Sequence, residues 1–200
     1  RKPAQLSGYG LHGGNKVSLT VLPSPAGSGI RFRRIDLDGK PEIEALVDNV
    51  TDTQRSTTLA KGNIRIHTVE HVLAALSGFG INNAIIELDA NEAPIGDGSS
   101  ADICGAIIKA GLEKQDDPSE PYRLTNPVET QIGESHIAAF PHDSFKITCT
   151  SSDTDNRYTQ FYSLELTPES WVEELARART FCFYEEIEHL FKKGLIKGGS

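Results

Sequence analysis

Two hundred residues with 38 % hydrophobic and 24 % charged side chains suit one large domain or two small ones, with enough apolar mass for a core. A net charge of −8 with no offsetting basic run argues against general nucleic-acid binding, and no apolar segment approaches the ~20 residues of a membrane span. Cys104, Cys149 and Cys182 are odd in number, widely spaced and without a C-x-x-C, which suits reduced thiols in a cytoplasm better than a disulfide framework or a cysteine zinc site.

The chain opens without Met, with no signal peptide and with the look of trimming at that end. Ser7-Gly-Tyr-Gly-Leu-His-Gly-Gly14 carries four glycines in eight residues and reads as a loop of close backbone approaches. His12 within it is either a surface side chain on a hairpin turn or the edge of a site. Lys16 to Leu22 alternates through Val17, Leu19 and Val21, the period of a half-buried strand. Pro23 to Gly29 is turn-rich; Gly29 to Arg34 and Ile43 to Val47 are further short strands. Thr51 to Leu59 is polar and leads to a central helix.

That helix is expected over 64 to 76, Ile-Arg-Ile-His-Thr-Val-Glu-His-Val-Leu-Ala-Ala-Leu. Val69, Val72, Leu73 and Leu76 share one face, and Thr68 is the expected N-cap. His67 and His71, four apart, would then share a face, with Glu70 beside them. An imidazole that holds a divalent ion and a carboxylate that takes a proton from its water are the parts of metal-assisted hydrolysis. Taken literally, His67-x-x-Glu70-His71 is also the inverted metallopeptidase pattern, which would need both imidazoles on one metal. The bland reading of such a His is a hydrogen-bonded, half-buried side chain.

Past the helix, Phe79-Gly-Ile-Asn-Asn is a turn with Gly80 as left-handed cap, and Ala84 to Leu88 is an apolar strand. Glu92-Ala-Pro-Ile-Gly-Asp-Gly-Ser-Ser100 precedes a helix over about 101 to 111, with Ser99-x-x-Asp102 resembling a capping box. A glycine turn at a helix start can hold an anion, but two acids and no Lys or Arg favour a structural turn. Residues 113–121, charged and proline-bearing, form the expected linker between domains at 1–115 and 122–200. Strands follow near 127–132, 135–140, 144–150 and 160–166. Thr167-Pro168-Glu169 opens a helix to about Ala176, and a second runs near Glu185 to Lys193 with Gly194 as its stop. The similar element order of the two halves suggests two related α+β domains.

Ser7-Gly-Tyr-Gly-Leu-His-Gly-Gly, Thr68-Val-Glu-His-Val-Leu-Ala-Ala-Leu, Gly80-Ile-Asn-Asn, Glu92-Ala-Pro-Ile-Gly-Asp-Gly-Ser, Ala178-Arg-Thr-Phe-Cys-Phe with Ile187, and Gly194-Leu-Ile-Lys-Gly-Gly-Ser occur in this order. Together they resemble the UDP-3-O-acyl-N-acetylglucosamine deacetylase family, the zinc amidases at the committed step of lipid A biosynthesis. The resemblance implies an α+β fold of two β-α-α-β layered domains packed through their helices, with a Zn2+ site between them and UDP-3-O-acyl-N-acetylglucosamine as substrate. It implies His71 as the zinc ligand of the first domain, Glu70 as the general base toward the zinc-bound water, and Thr180 as the donor that steadies the oxyanion. Phe181 and Phe183 match aromatics on the sugar and the start of the acyl chain; Ile187, Gly199 and Ser200 match positions near the acyl passage, which depends on the loop over about 151–162.

Three departures accompany the match. The family's other ligands, a His and an Asp four apart, and a further charge-stabilising His have no counterpart before Ser200. The second domain is therefore expected to be incomplete, and the 200 residues by themselves to bind zinc poorly and turn over little. His67 stands where the family needs no His, and Asn82 replaces a common acid, a change expected to be structural. The stretches Arg34 to Pro41 and Val50 to Ser56 look most like the branch fused to a β-hydroxyacyl-carrier-protein dehydratase. A noncatalytic remnant of the same fold is the alternative from another class.

Overall fold

The computed structural model describes every residue except Arg1, residues 118–120, Thr154, Asn156, Leu195, Gly199 and Ser200, with His189 described by its backbone alone. Its first half is built on a five-stranded sheet of β1 (Ala4–Tyr9), β2 (Lys16–Pro23), β3 (Ile30–Arg34), β4 (Glu42–Glu44) and, later in the chain, β8 (Ala84–Leu88). The spatial order is β1-β2-β8-β3-β4, antiparallel except for the β3–β8 pair. Alternation decides the faces. Val17, Leu19 and Val21 of β2, Phe32 of β3 and Ala84, Ile86 and Leu88 of β8 are buried. Beside them Arg33 pairs with Glu42 and Glu87, and Arg31 with Glu44, in the outward rows.

Two helices cover the apolar face: α1 (Glu70–Gly78) with Val72, Ala75 and Leu76 inward, and α2 (Ala101–Ala110) with Ile103, Cys104 and Ile107 inward. All of these join one core cluster. Burying a Val, Leu, Ile or Phe side chain is worth ~1.5–3 kcal/mol, so this sandwich of sheet and helices is where the stability of the half resides.

Several expectations hold with small shifts, among them β2, β3, β8, α2 and the left-handed Gly80 at φ 65°. Others are overturned. The Ser7–Gly14 block is not all loop: Ser7, Gly8 and Tyr9 extend β1, paired with Lys16, Val17 and Ser18, and only the residues after them turn. The polar stretch from Thr51 hides a second, three-stranded sheet of β5 (Val50–Asp52), β6 (Thr58–Lys61) and β7 (Ile64–Ile66). The continuous helix over 64–76 is therefore wrong at its start, because Ile64 and Ile66 are both buried from a strand. Thr68 is no N-cap: it sits at φ 58°, Val69 takes the cap position, and the Thr68 hydroxyl bonds elsewhere. The proposed capping box at Ser99 is absent too, since Ser100 is the cap residue and the Ser99 hydroxyl bonds Asp97.

The second half contains β9 (Val128–Ile132) paired with β10 (Ser135–Ala139), and β11 (Lys146–Ser152) paired with β12 (Thr159–Glu165). Among the described residues each pair is a separate two-stranded ladder. Thr167 then caps α3 (Pro168–Ser170), with Ser170 bonding back to it, and a π-helical turn carries the chain through Trp171–Leu175. Trp171 packs flat against α1 at Gly78, where any Cβ would overlap its ring, and its indole N–H donates to Cys104 Sγ at 3.2 Å. Burial pushes the Cys104 thiol pKa up. The last helix is α4 (Tyr184–Lys192), followed by Gly194 at φ 66° as expected.

Candidate active site

Glu70 and His71 open α1, both half-buried. A carboxylate there also meets the positive end of the helix. Glu70 Oε2 accepts the backbone N–H of Thr57 at 2.9 Å, and Val69 N–H reaches Thr57 O at 3.4 Å. The residue just before β6 thus holds the acid from outside the helix. His67 lies before the helix, not on it. Its backbone bridges Asn91 and Ala93, and its Nδ1 is 2.9 Å from Thr58 Oγ1. Burial pushes its pKa below the ordinary imidazole value, against the pull of the Glu92 charge. The shared helical face of His67 and His71, on which the metallopeptidase pattern rests, does not exist.

The loop before α2 connects this acid–imidazole pair to the second half. Ser100 Oγ donates to the carbonyl of His71 at 3.0 Å, while Ser100 N–H donates to Ala176 O at 3.1 Å. Two residues earlier Gly98 O accepts Thr180 N–H at 2.9 Å. Asp97 steadies the loop by accepting from Ser99 N–H and Oγ, and the Ser99 hydroxyl holds its carboxyl below the usual range. Asp97 is itself exposed and also faces Arg179 Nε at 3.9 Å. Thr180 is exposed and precedes Phe181 in the chain.

Phe181 and Phe183 meet edge to face at 6.1 Å, and Tyr158 completes the cluster at 5.5 and 5.8 Å from them. Arg157 lies 3.6 Å above the Phe183 ring and is held there by Asp153. Glu186 accepts Phe183 N–H and Arg55 Nη2, tying α4 to the segment before β6. Ile187 is half-buried on α4. Gly199 and Ser200 lie outside the described residues. A cleft of about 890 Å³ lined by Phe79, Ile107 and Gln115 shares no residue with any of these.

A family model described as UDP-3-O-acyl N-acetylglycosamine deacetylase matches residues 1–200. The chain belongs to this deacetylase family. Curated relatives named UDP-3-O-acyl-N-acetylglucosamine deacetylase include that of Methylococcus capsulatus, 45 % identical over 198 residues, and that of Teredinibacter turnerae, 43 % identical over 198; each alignment takes in 97 % of this chain and 65 % of the relative. The protein of Cellvibrio japonicus is 42 % identical over 205 residues, covering 100 % of this chain and 67 % of its own. The chain thus spans about two thirds of the length of the deacetylases it matches, and 65 % of the first two.

Among the described residues no three His, Cys, Asp or Glu side chains converge as a metal site. His71 offers one imidazole and Glu70 one carboxylate, whereas a catalytic zinc needs three protein ligands. The residues present therefore do not by themselves fit a complete zinc site. Sequence reasoning missed three members of the surroundings: Thr57, Thr58 and Glu92. The first two fall in a stretch whose polarity reads as a connection. Glu92 reads as a loop acid, although the glycine cluster at 8–14 signals that something approaches its backbone closely.

Proposed function

We propose that the protein this chain belongs to hydrolyses the acetamide of UDP-3-O-acyl-N-acetylglucosamine, releasing acetate at the committed step of lipid A biosynthesis in the cytoplasm. The observation that carries the proposal is the joining of the Glu70–His71 turn, through Ser100 and Gly98, to the backbone of Thr180. Family membership and the names of the relatives supply the substrate class.

In this reading His71 is the ligand that the chain contributes to Zn2+, with the remaining ligands in the part of the relatives this chain does not span. Bound zinc would supply an acidified water and polarise the amide oxygen. Glu70, whose free carboxylate oxygen is left over after Thr57 takes Oε2, accepts the proton of the hydrolytic water and returns it to the departing amine. The Thr180 hydroxyl donates to the oxyanion that develops on the acetamide. The Phe181–Phe183–Tyr158 cluster meets the sugar and the first carbons of the acyl chain, and Ile187, Gly199 and Ser200 border the acyl passage. The reading divides the chain into domains at 1–115 and 122–200, with 113–121 between them. No described helix is long and apolar enough to cross a membrane.

Acetate release by the full-length protein tests this. Glu70→Ala lowers kcat by about 10²–10⁴-fold, the usual share of a general base, while zinc content stays. His71→Ala lowers zinc content and rate together. Undiminished turnover in Glu70→Ala removes the base from the scheme. The 200-residue chain by itself holds zinc substoichiometrically and releases little acetate; stoichiometric zinc on it, measured after dialysis, refutes the ligand assignment.

A further inference from the structure

Glu92 leaves the loop after β8 pointing inward and is only 2 % exposed. The scheme above gives it no task. Its Oε1 accepts the N–H of His12 at 2.9 Å and the hydroxyl of Thr68 at 3.0 Å, and its Oε2 accepts the N–H of Gly13 at 2.6 Å. Burying a carboxylate is costly unless hydrogen bonds satisfy it, and here the donors come from two separate segments. Gly10 completes the fit, because a Cβ there would overlap Glu92 Oε2.

Thr68 is the telling partner. A β-branched residue at φ 58° is strained, and such strain persists only where the surroundings over-determine it. The Glu92 carboxylate fixes the Thr68 side chain, and the backbone bonds of His67 to Asn91 and Ala93 fix the residue before. Glu70 follows two residues later, and its carboxylate orientation depends on meeting Thr57 N–H. A different backbone at Thr68 would rotate the first turn of α1 and move Glu70 off that donor. On its other side Glu92 secures the 12–13 turn, whose Leu11 carbonyl accepts Lys197 N–H at 2.8 Å and Gly198 N–H at 3.1 Å.

We propose that Glu92 is a positioning residue for the reaction: through the Thr68 hydroxyl it sets the backbone that aims Glu70, and through the 12–13 turn it seats residues 197–198 against Leu11. The inference rests on the deacetylase reading. The test uses full-length, zinc-loaded protein and the isosteric Thr68→Val, which removes the donor and leaves Glu92 its two backbone partners. Because a misplacement of ~1 Å can cost ~10²-fold, kcat should fall by about 10–100-fold with KM and zinc content unchanged. Thr68→Ser, which keeps the donor, restores most of the rate; Glu92→Gln, which keeps one acceptor, falls between.

A readout independent of turnover is amide exchange in the metal-free full-length protein. Protection at Thr57 and Val69, whose amides bond Glu70 Oε2 and Thr57 O, drops by at least about tenfold in Thr68→Val, while β2 and β8 keep theirs. Thr68→Val and Glu92→Gln that melt like the unsubstituted protein and keep its kcat overturn the proposal. A rate loss that merely tracks the folded fraction overturns it too. Absence of acetate release from the unsubstituted protein overturns the deacetylase reading first, and the positioning role with it.

Discussion

Phe32 and Phe161 are both aromatic residues in the middle of a strand, yet Phe32 is fully buried in β3 and Phe161 is 67 % exposed in β12. The local patterns around them differ little. What differs is cover. In the first half α1 and α2 lie across the sheet and close its apolar face. In the second half the helical segment from Pro168 turns its buried residues, Trp171 and Ala176, toward the first half rather than onto β9–β12. Those strands consequently present Val128, Ile132, Ile137, Ile147 and Phe161 without a covering layer among the described residues. A strand's sequence specifies its hydrogen-bonded partner; burial requires a second layer.

Truncating the two phenylalanines in the 200-residue chain is the severest way to break this comparison. Phe32→Ala leaves a cavity among Leu19, Ile43 and Ile86 and should cost ~3–5 kcal/mol, the usual range for a buried aromatic. Phe161→Ala removes exposed surface and should stay within ~0.5 kcal/mol. Urea denaturation followed by circular dichroism measures both. Equal losses would mean that β12 is covered in solution and the contrast is false.

The joint between the halves gives the next largest effect. Trp171 is the single tryptophan and sits on Gly78, with its N–H on Cys104. Gly78→Ala puts a methyl against the face of the indole, and overpacking of that kind costs ~1–3 kcal/mol. Tryptophan emission should move to the red at denaturant concentrations where the far-ultraviolet signal of the first half is intact. Coincident transitions would show that the halves unfold as one unit despite their unequal packing.

These two regions also differ in how far the sequence could be read. Alternation marked β2, β3 and β8, and Thr167-Pro168 marked a helix start that the structure supplies with a reciprocal bond from Ser170. Such signals are local, and they worked in both halves. The approach to Glu70 was not readable in the same way. Ile64, Ile66, Val69, Val72 and Leu76 satisfy a strand followed by a helix as well as a helix throughout. The choice between them is made by Thr68 adopting φ 58°, a conformation that needs the Glu92 carboxylate from 24 residues away. The adjacency of Glu70 and His71 was plain in the chain, but the donors that hold them come from Thr57 and Ser100, and only the fold brings those near.

Smaller still is the cap at Thr167, where Thr167→Ala should cost about 1 kcal/mol if α3 bears on the joint as Trp171 suggests. Because the cap lies beside Trp171 at the joint between the halves, the loss should appear in the tryptophan transition more than in that of the β1–β4 sheet. A loss shared equally by both probes would place the cap in the common cooperative unit.

His67 gives the finest distinction, since it acts through pH alone. Burial lowers its pKa in the folded chain, so the unfolded chain takes up the proton first as acid is added. The sign follows: the contribution of the neutral imidazole is fully present above the unfolded value of ~6.5 and is lost as pH falls from there through the lowered folded value. Stability of the first half should therefore decline as pH falls below about 7, and His67→Gln, which can still meet Thr58, should flatten that decline. Identical slopes for His67→Gln and the unsubstituted chain would show that another group carries the acid sensitivity, and that the contacts of His67 do not tie the approach to Glu70 to the protonation of this imidazole.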